Sequence, residues 1–326
     1  MRHVYAKHRF DPSIVKDIKA LYALDNWHAP MALALDYAII AAAMWCVHLG
    51  GWLFYPLAVI VIGARQRALA TMVHEAAHGT LARSKAFARL LATVFSGYLV
   101  GSTLATYKAS HVTYHHGHFG EASMDADYRY MIEKGVYATA PRHAYLWRMI
   151  AKPLLLGNVP SYVFYLVKAR MFNLSRHQDR SEALALGVFW ILLAGIAIVI
   201  GQGMNLLLFW VVPFLTSFQV IGWFIELAEH APLMENRLDL YMTRNRHSHW
   251  LEHFLTGMHS ENFHLAHHLQ PRVPFWRMHC LHRILQRDPD YRRWDSQCGG
   301  IFVSSNGAPS LISLLSTRCE PSASTL

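Results

Sequence analysis

Apolar residues gather in four long runs rather than in short periodic stripes. Met31 to Leu49 is apolar apart from Asp36, and Trp52 to Ala64 is uncharged and resumes at Leu69 to Val73 beyond Arg65-Gln66-Arg67. Ala183 to Ile200 and Leu206 to Ile225 carry no charge at all. Segments that are apolar all round and close to the roughly 20 residues needed to cross a bilayer predict spanning helices, here at about 31–49, 52–73, 183–200 and 206–228. The links at Gly50-Gly51 and Gly201-Gln202-Gly203 are too short for anything but tight turns, so the spans are expected to form two hairpins. Pro213 should kink the last span. Ile14, Ile18 and Leu21 lie at helical spacing and predict an amphipathic helix on the membrane surface. From Ser296 onward the chain is rich in Ser, Gly and Pro ("SSNGAPS", "CEPSASTL"), the signature of a disordered tail. The expected fold is all-α, an integral membrane four-helix bundle under a cytoplasmic helical cap. Its divisions are an N-terminal segment (1–28), a membrane domain (29–295) and the tail (296–326).

Composition supports the membrane. Of 326 residues 53% are hydrophobic and only 16% charged, against about 25% charged in soluble domains. The 30 Lys and Arg fall in three groups: 5 before Ala20, 15 from Arg65 to Arg180, and 10 from Arg237 onward. These are expected to lie outside the spans, and the positive-inside rule then puts both termini and the middle segment in the cytoplasm, in a bacterial inner membrane. The net charge of +9 reads as topology and contact with anionic headgroups, not as nucleic-acid binding. The N-terminus lacks the pattern of a signal peptide. Cys46, Cys280, Cys298 and Cys319 form no C-x-x-C, which speaks against an iron–sulfur cluster, a cysteine zinc site or a disulfide framework.

Histidine changes the picture, because 22 are present and they cluster. His74-Glu75-Ala76-Ala77-His78 spells H-E-x-x-H, in which two histidines one turn apart chelate zinc and the glutamate acts as base in metalloproteases. Asp239 is available as a third ligand for that reading. Two further boxes weigh against it: "HVTYHH" gives His111, His115 and His116, and "HLAHH" gives His264, His267 and His268. On an α-helix His74/His78 and His111/His115 are facing pairs, His116 points one position round toward a second metal or the far side of the cluster, and His230 closes the fourth span. Eight or nine imidazoles exceed the three protein ligands of a catalytic zinc. They suit a binuclear site, without choosing among iron, copper and zinc.

From about Ala64 to Met278 the sequence resembles the integral-membrane fatty acid desaturases and hydroxylases, which carry three histidine boxes. Its most specific part is the last box in "ENFHLAHHLQPRVPFW", and "RQRALATMVHEAAHGTL" is similar to the family's approach to its first box. The resemblance implies an oxidoreductase of lipid metabolism, in which two non-heme irons and O2 act with external electrons on unactivated C–H bonds. It implies His74, His78, His111, His115, His116, His230, His264, His267 and His268 as iron ligands, and Asn262 as a residue assisting one metal through water. Glu75 becomes an acceptor that orients a ligand imidazole, and Asp125, Asp127 and Glu226 are candidates for the same outer role or for orienting substrate. Desaturation is the expected reaction, hydroxylation by the same apparatus the alternative, and zinc proteolysis the more distant one. No fused cytochrome b5 motif is present, so electrons are expected from a separate ferredoxin or cytochrome. Relatives of this size act on acyl lipids, alkanes and small amino-acid-derived molecules, dihydrorhizobitoxine among them.

Overall fold

The computed structural model describes residues 5–168 and 177–317. The described residues are helical, with a single isolated bridge between Ala6 and Leu238 and no strand. Four helices are long and apolar enough to cross a bilayer, namely His28–Gly50, Trp52–His78, Arg180–Val199 and Gly203–His230.

Helix α1 (Pro12–Lys19) starts where the Asp11 carboxylate accepts from the Ser13 backbone N–H and Pro12 occupies the first turn. Its apolar stripe does not face lipid. Ile14 and Ile18 are buried in a protein cluster with Leu265, Leu281 and Leu285, because an amphipathic period specifies an apolar partner without saying whether that partner is bilayer or protein.

Helix α2 (His28–Gly50) turns at Gly51, whose φ is +80°, and packs along α3 (Tyr55–His78). Helix α3 is the hub of the fold. Its middle is buried on every side, and a Cβ built on Gly63 would lie 2.1 Å from Ser217 Oγ and 2.7 Å from the Phe218 backbone N, so glycine is what lets the fourth span approach. Arg65 and Arg67 sit inside the second spanning helix, contrary to the expectation that every cation lies outside the spans. Arg65 Nη1 lies 3.2 Å from Asp36 Oδ1, giving the lone acid of the first span its partner, and His259 Nε2 approaches the other oxygen at 3.0 Å. A charge within a span calls for such a partner, and it lies 29 residues away, beyond the reach of any local pattern.

Helix α4 (Lys85–Ala92) leads into a chain that bends by 89° before α5 (Leu104–His116); Gly101, at φ +65°, lies in the break. Helix α6 (Ala126–Glu133) is capped by Asp125. Helix α7 (His177–Val199) exposes Ile191, Leu192 and Val199, a surface suited to lipid. The last span breaks at Thr216, three residues past Pro213, and continues as α8 (Ser217–His230). Helices α9 (Trp250–Thr256), α10 (His264–Leu269) and α11 (Met278–Leu285) follow.

The Ser-rich segment is ordered as far as residue 317, contrary to the expectation of disorder from 296. The Glu252 carboxylate accepts from the backbone N–H groups of Ile301, Phe302 and Val303 at 2.6–3.1 Å. Helix α12 (Leu311–Thr317) then buries Leu311 and Leu315 in the main core. Two leucines four residues apart carry this docking, a signal that polar composition hides. The rest of the expected tail, 318–326, lies outside the described residues.

Candidate metal centre

Helix α3 brings His74 and His78 to the end of the hub, one turn apart with ring centroids 4.8 Å from each other. The helix stops there because Gly79 takes the left-handed conformation (φ +76°), letting its N–H and that of Thr80 reach back to the carbonyls of Ala76 and Glu75.

Helix α5 delivers the second box in an unexpected register. Residues 108–116 wind as π-helix, which aligns positions five apart rather than four. His111 and His116 therefore face each other, Nε2 to Nε2 at 3.2 Å, while His115, still within reach of His111 and Asp127, also meets His230 and His268. The result is one group of five imidazoles, His74, His78, His111, His116 and His267. A second group joins His115, His230 and His268, and His264 completes it, with its Nε2 at 3.0 Å from the Nε2 atoms of both His230 and His268. Helix α10 thus spans the two groups: His267 serves one, while His264 and His268 serve the other. All nine expected histidines are brought together.

Carboxylates stand behind several rings. His115 Nδ1 lies 3.0 Å from Asp125 and 3.9 Å from Asp127, and His74 Nδ1 lies 3.4 Å from Glu75 Oε1. Glu229, which sequence reasoning missed, lies 3.3 Å from His264 Nδ1 and is itself held by Arg246 Nη2 at 3.0 Å. The signal was its position beside His230 in "ELAEH". Such contacts fix Nδ1 as the protonated nitrogen and leave Nε2 to coordinate. Asp127 also accepts from the Tyr165 hydroxyl. Glu226 lines the cavity between the helices. Asn262 is buried beside the third box: its backbone carbonyl accepts the Arg246 backbone N–H at 2.8 Å, and its side-chain amide lies 3.5 Å from the Arg246 carbonyl.

These residues fit a pair of metal ions. Nε2 of His78 and of His267 are buried with no protein hydrogen-bond partner, and the facing Nε2 atoms elsewhere converge as lone pairs around a cation do. Burial pushes His264, His267 and His268 well below the ordinary histidine range, which keeps them neutral and competent as ligands. A peptidase arrangement is not assembled. Glu75 is occupied by the Thr80 hydroxyl at 2.8 Å and the Phe275 N–H at 3.1 Å, and Asp239 accepts from the His8 N–H, outside both groups. Five further histidines near these segments have other partners. His118 pairs with Glu121, His247 with Asp295 and His259 with Asp36, while His249 and His253 accept backbone N–H groups around α9.

A cavity opens from the histidines between α3, α5 and α8, lined by both polar groups (Arg67, Glu226, Glu261) and apolar ones (Met131, Phe218, Trp223). Residues 50–296, which hold this cavity and every histidine of both groups, match the fatty acid desaturase family. The chain belongs to that family. It is also 38% identical over 323 residues, 96% of its own length and 91% of the relative's, to the dihydrorhizobitoxine desaturase of Bradyrhizobium elkanii. The family match extends beyond the stretch from Ala64 to Met278 that carried the resemblance, back into the first turn and forward past α11. Family and relative together support an oxidoreductase of the desaturase type, and the four apolar helices fit a membrane protein.

Proposed function

We propose that the protein is a membrane desaturase that uses two irons and O2 to remove two hydrogens from adjacent carbons of a small amphiphilic substrate. The relative's name makes dihydrorhizobitoxine the first compound to try. The observation that carries this reading is the meeting of two imidazole groups at the end of one cavity. The histidines would hold the metals, His74, His78, His111, His116 and His267 one and His115, His230, His264 and His268 the other. When bound, the metals supply the activated oxygen that abstracts hydrogen. Glu75, Asp125 and Glu229 would keep the rings oriented, and the buried wall keeps water from the reacting carbon. Electrons would come from an external ferredoxin or cytochrome. Comparing the small-molecule and lipid profiles of cells with and without the protein tests the reaction: a product two hydrogens lighter, formed only with O2, is expected. A product heavier by one oxygen would favour hydroxylation, and peptide cleavage without O2 would overturn the reading.

We place the protein in the bacterial inner membrane with both termini in the cytoplasm, on the grounds of charge distribution. The turns at Gly50-Gly51 and Gly201-Gln202-Gly203 then face the other side, and the histidine groups face soluble electron donors. Single cysteines at Ser296 and Gln202, both exposed positions, check this in a background lacking the native cysteines. An impermeant thiol reagent should label Gln202→Cys in intact cells and spare Ser296→Cys; the reverse pattern would invert the topology.

A further inference from the structure

Arg67 lines the cavity at only 9% exposure, and an alkyl chain would offer its guanidinium no partner. Its Nη2 stands 3.5 Å from Glu261 Oε1, well beyond the 2.7–2.9 Å typical of a charge-assisted hydrogen bond. Arg67 Nε and Glu261 Oε2 are both buried with no protein hydrogen-bond partner. Packing an alkyl chain against these groups would leave their hydrogen bonds unmade in a dry cavity, which is costly. The wall asks for a ligand that brings an acceptor to the guanidinium and a donor to the carboxylate, close together.

The position of Glu261 is enforced. It follows two successive non-glycine residues in the left-handed region, His259 (φ +52°) and Ser260 (φ +62°). Such a conformation persists only where the surroundings over-determine it. Here His259 is held by Asp36 at 3.0 Å and by the Thr71 hydroxyl at 2.5 Å. Three elements thus cooperate to put a carboxylate opposite Arg67. Arg67, Thr71 and His74 follow one another along the cavity face of α3, and the seven residues from Arg67 to His74 correspond to about 10 Å of helix.

We propose that Arg67 and Glu261 hold the head group of an α-amino acid, the guanidinium taking its carboxylate and Glu261 its ammonium, with Glu226 adding negative potential nearby. The side chain of that amino acid then extends past Phe218 and Trp223 to the histidine groups. An α-amino acid carries its two charges on one carbon, which matches the short separation of Arg67 and Glu261; a fatty acid or an alkylamine satisfies only one of them. The assignment rests on the desaturase reading for its reaction but not for its binding.

Binding to the purified, iron-loaded protein in detergent is therefore measured by calorimetry with four probes: 2-aminooctanoic acid, its methyl ester, octanoic acid and octylamine. The amino acid should bind at least about 10-fold tighter than each of the others, the size expected when one charge-assisted hydrogen-bonding partner is lost. Arg67→Gln should abolish the preference for acid over ester, Arg67→Lys should restore part of it, and Glu261→Gln should abolish the preference for the amino acid over octanoic acid. Equal binding of acid and ester by the unaltered protein would overturn the proposal even if the variants fail to fold. The two readings separate cleanly. Selective binding of the amino acid by a protein that desaturates nothing would sink the desaturase reading alone. Desaturation of acyl lipid by a protein that ignores the amino-acid head group would sink the subsite alone.

Discussion

His264→Ala combined with His268→Ala should leave about one ion of the expected two per chain, whereas His267→Ala combined with His268→Ala should keep iron at both sites, held more weakly. The contrast follows from which imidazoles meet. His267 and His268 are neighbours in sequence but belong to different groups, while His264 and His268 share one. Removing two of the four nitrogens of His115, His230, His264 and His268 leaves too few to hold an ion. Removing one from each group leaves four nitrogens in one and three in the other, enough to retain both ions. Either pair should reduce turnover beyond detection, well past the roughly 10–100-fold cost of losing an outer partner, a cost that Glu229→Gln should display. Membrane insertion should be unchanged, since α10 lies outside the four apolar helices. Iron analysis on purified protein, read beside the activity, checks the assignment. Equal iron content in the two double variants would mean that the grouping is wrong, even if both are inactive.

Which histidines gather was legible from spacing, but how they divide was not. H-x-x-x-H and H-x-x-H-H announce faces of an α-helix, and all nine residues do converge. The division fails at α5, where π winding exchanges His115 for His116 as the companion of His111. Spacing alone does not reveal that register, which occurs where α5 packs against α3. The spans were legible because an apolar run of adequate length has few alternatives. Their ends were less so, since α3 and the last span run on to His78 and His230, past the point where hydropathy fades but before a residue that stops a helix. Readings that needed a distant partner failed in a common way. Ile14 and Ile18 were assigned to lipid and found protein, Leu311 and Leu315 sat in a tail and found the core, and Asp36 had no visible counter-charge until Arg65 and His259 closed on it.

That last cluster carries the second large effect. Asp36 and Arg65 are 2% and 7% exposed, and Arg65 also donates to the Phe254 carbonyl and lies over the Phe254 ring at 4.6 Å. Removing one member of a buried ion pair leaves the other charge uncompensated, at a cost of about 3–5 kcal/mol, while replacing both with apolar side chains of similar volume is often close to neutral. Asp36→Ala should therefore destabilise the protein by that amount in a denaturant titration in mixed micelles. Asp36→Leu with Arg65→Met should recover more than half of the loss, the remainder reflecting the freed Phe254 carbonyl. The two variants should part company in function. In both, His259 loses the carboxylate that holds its Nε2, so the strained turn ahead of Glu261 is less constrained, and the stability regained by the double variant does not restore it. Substrate affinity should thus stay low in a protein whose fold has recovered. If the double variant regained stability and affinity together, Asp36 would be a plain structural counter-ion to Arg65, and the link from the first span through His259 to the cavity wall would be broken.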